Sequence, residues 1–188
     1  MRTFIALSLP LNVRNSLGDI AAKMAYQDKS NAVRWANQDN YHVTLAFLGE
    51  QDPLVIDQLT RELDYEISSY GVETRITGLS PFPESKPKLI AAILEATDSL
   101  IEIQKQTIKA INSANLSIDK RRFVPHITLG RLRHSRNPYS GTIPMALELP
   151  IDFEELVLYE SHLRSNGAEY EPLYQYPIGY TDYSIDQE

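Results

Sequence analysis

Tyr41-His42-Val43-Thr44-Leu45 and, far along the chain, Pro125-His126-Ile127-Thr128-Leu129 are the two stretches on which the reading of this sequence turns. Side chains alternate across a strand with period two. In the first stretch His42 and Thr44 therefore share one face while Val43 and Leu45 point to a core. In the second, His126 and Thr128 pair in the same way over Ile127 and Leu129. Each strand thus presents an imidazole and a hydroxyl about 6.7 Å apart along one side.

Working outward, similar surroundings recur. A strand over 4–10 precedes Val13, Leu17, Ile20, Ala21 and Met24 at helical spacing, then the strand over 41–48. Asp52-Pro53 starts a helix whose buried stripe is Ile56, Leu59, Leu63 and Ile67, and a strand over 72–79 follows. Ser80-Pro-Phe-Pro-Glu-Ser-Lys-Pro-Lys88 marks a boundary, because three prolines do not suit a sheet interior. Beyond it come a strand over 89–96 and a helix with Leu100, Ile103, Thr107, Ile108 and Ile111, capped by Ser99 with Glu102. A strand over 123–132, a loop over 137–144 and a strand near 153–159 complete the pass.

Phe4 precedes His42 by 38 positions and Leu89 precedes His126 by 37, which points to a structural duplication. Strands mixed with helices, without strict alternation, predict an α+β fold. We expect two pseudo-symmetric antiparallel-sheet lobes with outer helices around a central groove. Residues 1–188 form a single two-lobed domain in this reading, its halves lying roughly at 1–80 and 89–188.

Composition narrows the functional classes. The 188 residues are 43% hydrophobic and 23% charged, which is ordinary globular material. The chain has no cysteine, so disulfides, a thiol nucleophile and a thiolate metal site are excluded. No apolar run reaches bilayer length, and the opening apolar stretch is too short and interrupted for a signal-peptide core. A cytoplasmic protein with no membrane association is expected. The net charge of −7 argues against coating duplex nucleic acid. Basic residues nevertheless gather at Lys120, Arg121, Arg122, Arg131, Arg133 and Arg136, which leaves room for binding one phosphate locally.

Two histidines and two hydroxyls across a groove suit in-line attack on phosphorus. A base is needed behind the incoming oxygen and an acid at the departing one, on opposite sides of the phosphorus. Histidine serves either role because its ordinary pKa of about 6.5 lies near working pH. The threonine hydroxyls can donate to the equatorial oxygens. The layout needs no metal or cofactor, and the four histidines show no zinc-ligand spacing. Walker, Rossmann and serine-elbow motifs are absent.

The paired His-Val-Thr-Leu and His-Ile-Thr-Leu tetrapeptides resemble the twin motifs of the two-histidine phosphoesterase superfamily. Within it the chain looks like the bacterial RNA 2′,3′-cyclic phosphodiesterases, historically also called 2′-5′ RNA ligases. Arg2-Thr3-Phe4-Ile5-Ala6, Val33-Arg34-Trp35, Asn40 to Glu50, Arg122 to Arg131, Leu158 to Ser161 and Gly167 to Leu173 carry the likeness across nearly the whole chain. The resemblance implies metal-independent hydrolysis of RNA 2′,3′-cyclic phosphate ends to 2′-phosphates. It implies His42 as proton donor and His126 as proton acceptor, although the two motifs are too alike to assign the roles themselves. It also maps Thr44, Thr128 and Arg131 onto phosphate-binding positions. RNA ends or small cyclic nucleotides are the implied partners, with no obligate protein partner. Ligation in the same site, or RNA-end binding without turnover, are the alternatives.

Three further residues are weighed by parity. Arg131 is out of phase with His126 and Thr128 unless Gly130 permits a bulge that re-aims it. Phe47 is out of phase with His42, which predicts core packing over contact with a base. Trp35 is balanced between base contact at the groove edge and simple packing. His134 and His162 lack the threonine partner and read as exposed polar residues. Strand packing accounts for most of the tyrosines between Tyr159 and Tyr183.

Overall fold

The chain runs β1 (Arg2–Ser8), α1 (Leu11–Gln27), β2 (Val33–Trp35), β3 (His42–Glu50), α2 (Pro53–Glu66), β4 (Val72–Phe82), β5 (Leu89–Leu94), α3 (Asp98–Ser113), β6 (His126–Leu132), β7 (Leu149–Phe153), β8 (Glu155–Arg164) and β9 (Gly167–Pro177). The computed structural model describes residues 1–68, 70–118, 122–133, 138–165 and 167–179. Lys120, Arg121, His134, Arg136 and the run from Tyr180 onward lie outside the described residues.

All strand pairs are antiparallel, in the order β7-β4-β5-β6-β3-β1-β8-β9, with β2 added beside β6. The sheet divides at its middle, where β3 and β6 meet through one paired position, Val43 opposite Ile127. Read outward from that point, one half is β3-β1-β8-β9 and the other β6-β5-β4-β7. The α+β class and two-lobed plan expected from sequence are therefore present as two four-stranded halves of one sheet. The unit β1-α1-β3 corresponds to β5-α3-β6. The outer strands do not follow the split at 80: β4 lies beside β5, and β8 and β9 lie beside β1. Local periodicity shows that a strand exists but not which distant strand it joins.

The helices follow their apolar spacing. Val13, Leu17, Ala21 and Met24 form the buried face of α1. Asp52 caps α2 by accepting from the Leu54 amide at 2.8 Å, with Pro53 in the first turn. The α3 cap is Thr97, not Ser99; the Ser99 hydroxyl is engaged with the Glu73 backbone instead. The β4 strand also runs through Ser80-Pro81-Phe82, past the boundary that the prolines predicted. Pro81 is tolerated because β7 pairs β4 only over Val72 to Ile76, so the edge beside Pro81 carries no ladder on that side. The strand near 153–159 resolves into β7 and β8, broken at Glu154. No helix among the described residues is long and apolar enough to cross a membrane.

Two β-bulges decide which side chains reach the groove. In the β1–β3 ladder Ala6 pairs Thr44 and Ile5 pairs Ala46, so Leu45 is an extra residue. Leu45 and Ala46 both turn inward, at 4% and 6% exposure, and Phe47 emerges at 70%. In the β5–β6 ladder Ala91 pairs Thr128 and Ile90 pairs Gly130, which makes Leu129 the extra residue. Leu129 and Gly130 are buried and Arg131 is exposed. A Cβ on Gly130 would lie 2.5 Å from Val33 Cγ1 and 3.3 Å from Trp35 Cε3, so a side chain there would collide with β2.

Candidate active site

Val43 and Ile127 sit directly opposite one another under the groove. Stepping one residue each way along this antiparallel pair brings His42 opposite Thr128 and Thr44 opposite His126. The histidines then occupy diagonal corners, which in a regular ladder lie about 7–8 Å apart. A phosphorus over the centre would have one imidazole on each side.

Both imidazoles are held the same way. His42 Nδ1 lies 2.7 Å from the Asn40 carbonyl oxygen, and His126 Nδ1 lies 2.8 Å from that of Val124. A carbonyl can only accept, so each Nδ1 carries the proton and donates it. Nε2 is thereby left as the reactive nitrogen of the neutral ring in both cases. The extended backbone before each motif provides this carbonyl two residues back.

Their surroundings differ. His42 is half-buried among aromatic rings, with Phe4 at 5.0 Å and the edge-on Tyr170 at 5.3 Å between centroids. Its Nε2 is 3.0 Å from Thr44 Oγ1, which donates to the neutral ring. Loss of solvent pushes its pKa down to about 4; the Asn40 hydrogen bond opposes the shift and the charge of His126 adds to it. His126 stacks on Phe82 at 4.3 Å. The Thr128 hydroxyl has no protein partner among the described residues.

The four motif residues are thus brought together as the sequence predicts, and the flanking candidates are redistributed. Phe47 is a correction: the bulge reverses its parity, so it stands on the groove face with its ring 6.1 Å from Phe4. Arg131 is re-aimed by the Gly130 bulge. Burial raises the pKa of the Tyr170 phenol, and the charges of Arg131 and Arg2 pull it back, which puts Arg131 near the ring that borders His42. Trp35 is not in the groove. It is paired with Gly130 on the face turned toward α1, beside Gly18, Ala21, Ala22 and Ala25, and its buried Nε1 has no hydrogen-bond partner among the described residues. It packs there and also lines an open cleft with Arg34 and Arg133.

Sequence reasoning missed Phe4, Phe82 and Tyr170. Phe4 faces the groove because it pairs Phe47, a register set by the β1–β3 bulge that the sequence did not signal. Tyr170 arrives through the β8–β9 hairpin, anchored where Asn40 Nδ2 donates to the Ala168 carbonyl at 2.7 Å. His162 is not a free polar residue either, because its Nε2 lies 3.0 Å from Glu171 and 3.8 Å from Glu160. Among the described residues, Glu160, His162 and Glu171 are the group whose ligand atoms lie close enough to hold a metal ion. That group contains neither His42 nor His126.

Comparison with known proteins finds relatives over most of the chain. An RNA 2′,3′-cyclic phosphodiesterase of Methanocaldococcus jannaschii is 29% identical over 177 residues, covering 91% of this chain and 97% of that protein. One of Thermotoga maritima is 26% identical over 179 residues, covering 93% and 94%. The fold is shared with E. coli LigT crystallised with 3′-AMP, at a TM-score of 0.77 and 24% identity over 94% of this chain and 97% of that one. Residues 10–162, which hold both histidine motifs and the whole β3–β6 junction, match the family model, and the chain belongs to the 2′-5′ RNA ligase superfamily.

Proposed function

We propose that this protein hydrolyses RNA 2′,3′-cyclic phosphate ends to 2′-phosphomonoesters, without a metal ion, by acid–base catalysis between His42 and His126. The observation that supports this most directly is the matched locking of both Nδ1 atoms, which leaves Nε2 as the reactive nitrogen on two histidines close enough for their charges to interact. The relatives carrying that activity in their names align over more than 90% of the chain. Each half of the sheet supplies one histidine, so residues 1–188 act as one catalytic unit.

In the step, His126 Nε2 takes a proton from water as its oxygen bonds to phosphorus. The bond between phosphorus and the ribose 3′ oxygen breaks, and protonated His42 Nε2 gives its proton to that oxygen. The products are a 2′-phosphate and a 3′-hydroxyl. Thr44 and Thr128 donate to the equatorial oxygens, and Arg131 balances their charge. In the empty groove His42 is neutral near pH 7, because its pKa is about 4. The bound phosphate anion raises that pKa and allows the acid role. Phe47, exposed at 70%, stacks on the terminal base in this reading.

The test is incubation of an oligoribonucleotide ending in a 2′,3′-cyclic phosphate with excess EDTA, followed by mass analysis and mapping of the product phosphate. Turnover to a 2′-phosphate is expected. Loss of turnover on chelation, restored by zinc or manganese, would sink the mechanism, and a 3′-phosphate product would sink the regiochemistry.

A further inference from the structure

Two arginines near Arg131, Arg34 and Arg133, remain without a role. Arg34 in β2 is directly opposite Arg131 in β6. Directly opposed residues share a face, and like charges so placed repel. Both are exposed, as is Arg133 two residues on. No side chain of the three has a hydrogen bond or ion pair among the described residues. On the adjoining β8–β9 hairpin Glu169 is occupied by Arg164 at 3.0 Å, and Glu160 and Glu171 flank His162. In a chain of net charge −7, three unneutralised guanidinium groups side by side are not ordinary surface.

The geometry ties them to the site. Val33 and Trp35 turn toward Gly130 and the helix side, so Arg34 between them turns to the groove side. Arg34 and Arg133 also line an open cleft of about 540 Å³ with Asn31, Val33, Trp35 and Ser165. Positive charge therefore runs unbroken from Arg131, beside the phosphate site, through Arg34 into this cleft. The corresponding place at the other end of the groove holds Phe47.

We infer that Arg34 and Arg133 form a second anion subsite that takes the phosphodiester on the 5′ side of the terminal nucleotide. Resting on the proposed hydrolysis, this makes oligoribonucleotides, not cyclic mononucleotides, the substrate class. An anionic backbone between Arg34 and Arg131 relieves their repulsion and meets guanidinium forks suited to phosphate.

The experiment compares a dinucleotide with a mononucleotide, each ending in a 2′,3′-cyclic phosphate, in wild type, Arg34→Gln and Arg133→Gln. Wild type is expected to prefer the dinucleotide by about 10-fold or more in kcat/KM. Each variant should lose about 10-fold on the dinucleotide and stay within about 2-fold on the mononucleotide. The dinucleotide's extra dependence on salt should shrink with each arginine removed. Melting temperature should hold or rise in Arg34→Gln, since one member of a repelling pair is gone. Equal losses on both substrates, or a drop in melting temperature, would assign Arg34 to supporting β2 and overturn the subsite. Calorimetry with the 2′-phosphorylated products separates this from the function itself. A dinucleotide preference that Arg34→Gln abolishes supports the subsite even where turnover fails, and equal affinity for both products removes it.

Discussion

Along β3 the groove is lined by His42, Thr44 and Phe47, and along β6 by His126, Thr128 and Arg131. The backbone is the same in both: an imidazole tied to the carbonyl two residues back, a buried residue, a hydroxyl, and a bulge that hides two residues before the next side chain emerges. The environments are not the same. His42 is enclosed by Phe4 and Tyr170 and bonded to Thr44, whereas among the described residues His126 stacks on Phe82 and Thr128 has no hydroxyl partner. The repeated part supplies what an in-line displacement needs on both sides of phosphorus. In the proposed function the divergent part, Phe47 against Arg131, answers to different parts of the substrate, a base for the ring and a phosphate for the guanidinium.

The comparison breaks most visibly at the histidines. If they are equivalent halves of one acid–base unit, His42→Ala and His126→Ala should each cost about 10²–10⁴-fold in kcat, and the double variant should be little worse than the weaker single. Full activity in either alanine variant would end the two-histidine mechanism. A substrate with a better leaving group sharpens the test. It should rescue His42→Ala far more than His126→Ala, and the reverse pattern would exchange donor and acceptor.

Next come the threonines, taken as donors to the transition state. Thr44→Val and Thr128→Val keep shape and strand preference, so folding should survive while kcat falls roughly 10–10³-fold in each. Wild-type rates from both would return the threonines to a structural role.

These four residues were legible in the sequence because period two in a short strand is a local property. The bulges were not, although each decides a flanking residue. Gly130 carried a signal, since only glycine fits against Val33 and Trp35, and Arg131 could be re-aimed on that ground. Ala46 carried none, so regular parity put Phe47 in the core. Trp35 belongs to a three-residue strand too short for any periodicity to show. The exchange of β4 and β8 between halves reflects pairing between distant segments, which hydrophobic spacing does not encode.

The flanking pair offers a smaller effect with a clear signature. Phe47→Ala and Arg131→Gln should each raise KM by about 10-fold with kcat nearly unchanged, since stacking and charged phosphate contacts are each worth a few kcal/mol or less. The variants should differ in salt response. Arg131→Gln should flatten the dependence of KM on ionic strength and Phe47→Ala should leave it intact. Identical salt profiles would mean that the two ends of the groove do not divide base from strand.

The smallest expected effect is a near-absence of change with pH, and it follows from the enclosure of His42. An imidazole of ordinary pKa about 6.5 in the free enzyme would make kcat/KM fall about 10-fold by pH 5.5, as the pair became doubly protonated. Burial and the charge of His126 hold His42 down to about 4, so the doubly protonated form stays rare until the solution is much more acidic. We therefore expect kcat/KM to vary by less than about 2-fold between pH 5 and pH 6, and to decline only as pH approaches 4. That limb belongs to the coupled pair and does not reveal which histidine is the donor. In the enzyme–substrate complex the phosphate anion favours imidazolium, so the acid limb of kcat should lie at higher pH than that of kcat/KM. Opening the aromatic wall with Tyr170→Ala should move the kcat/KM limb upward toward the ordinary imidazole range, because water then reaches His42. An acid limb already near 6.5 in wild type, or one that Tyr170→Ala leaves in place, would mean that the two histidines share an electrostatic environment after all.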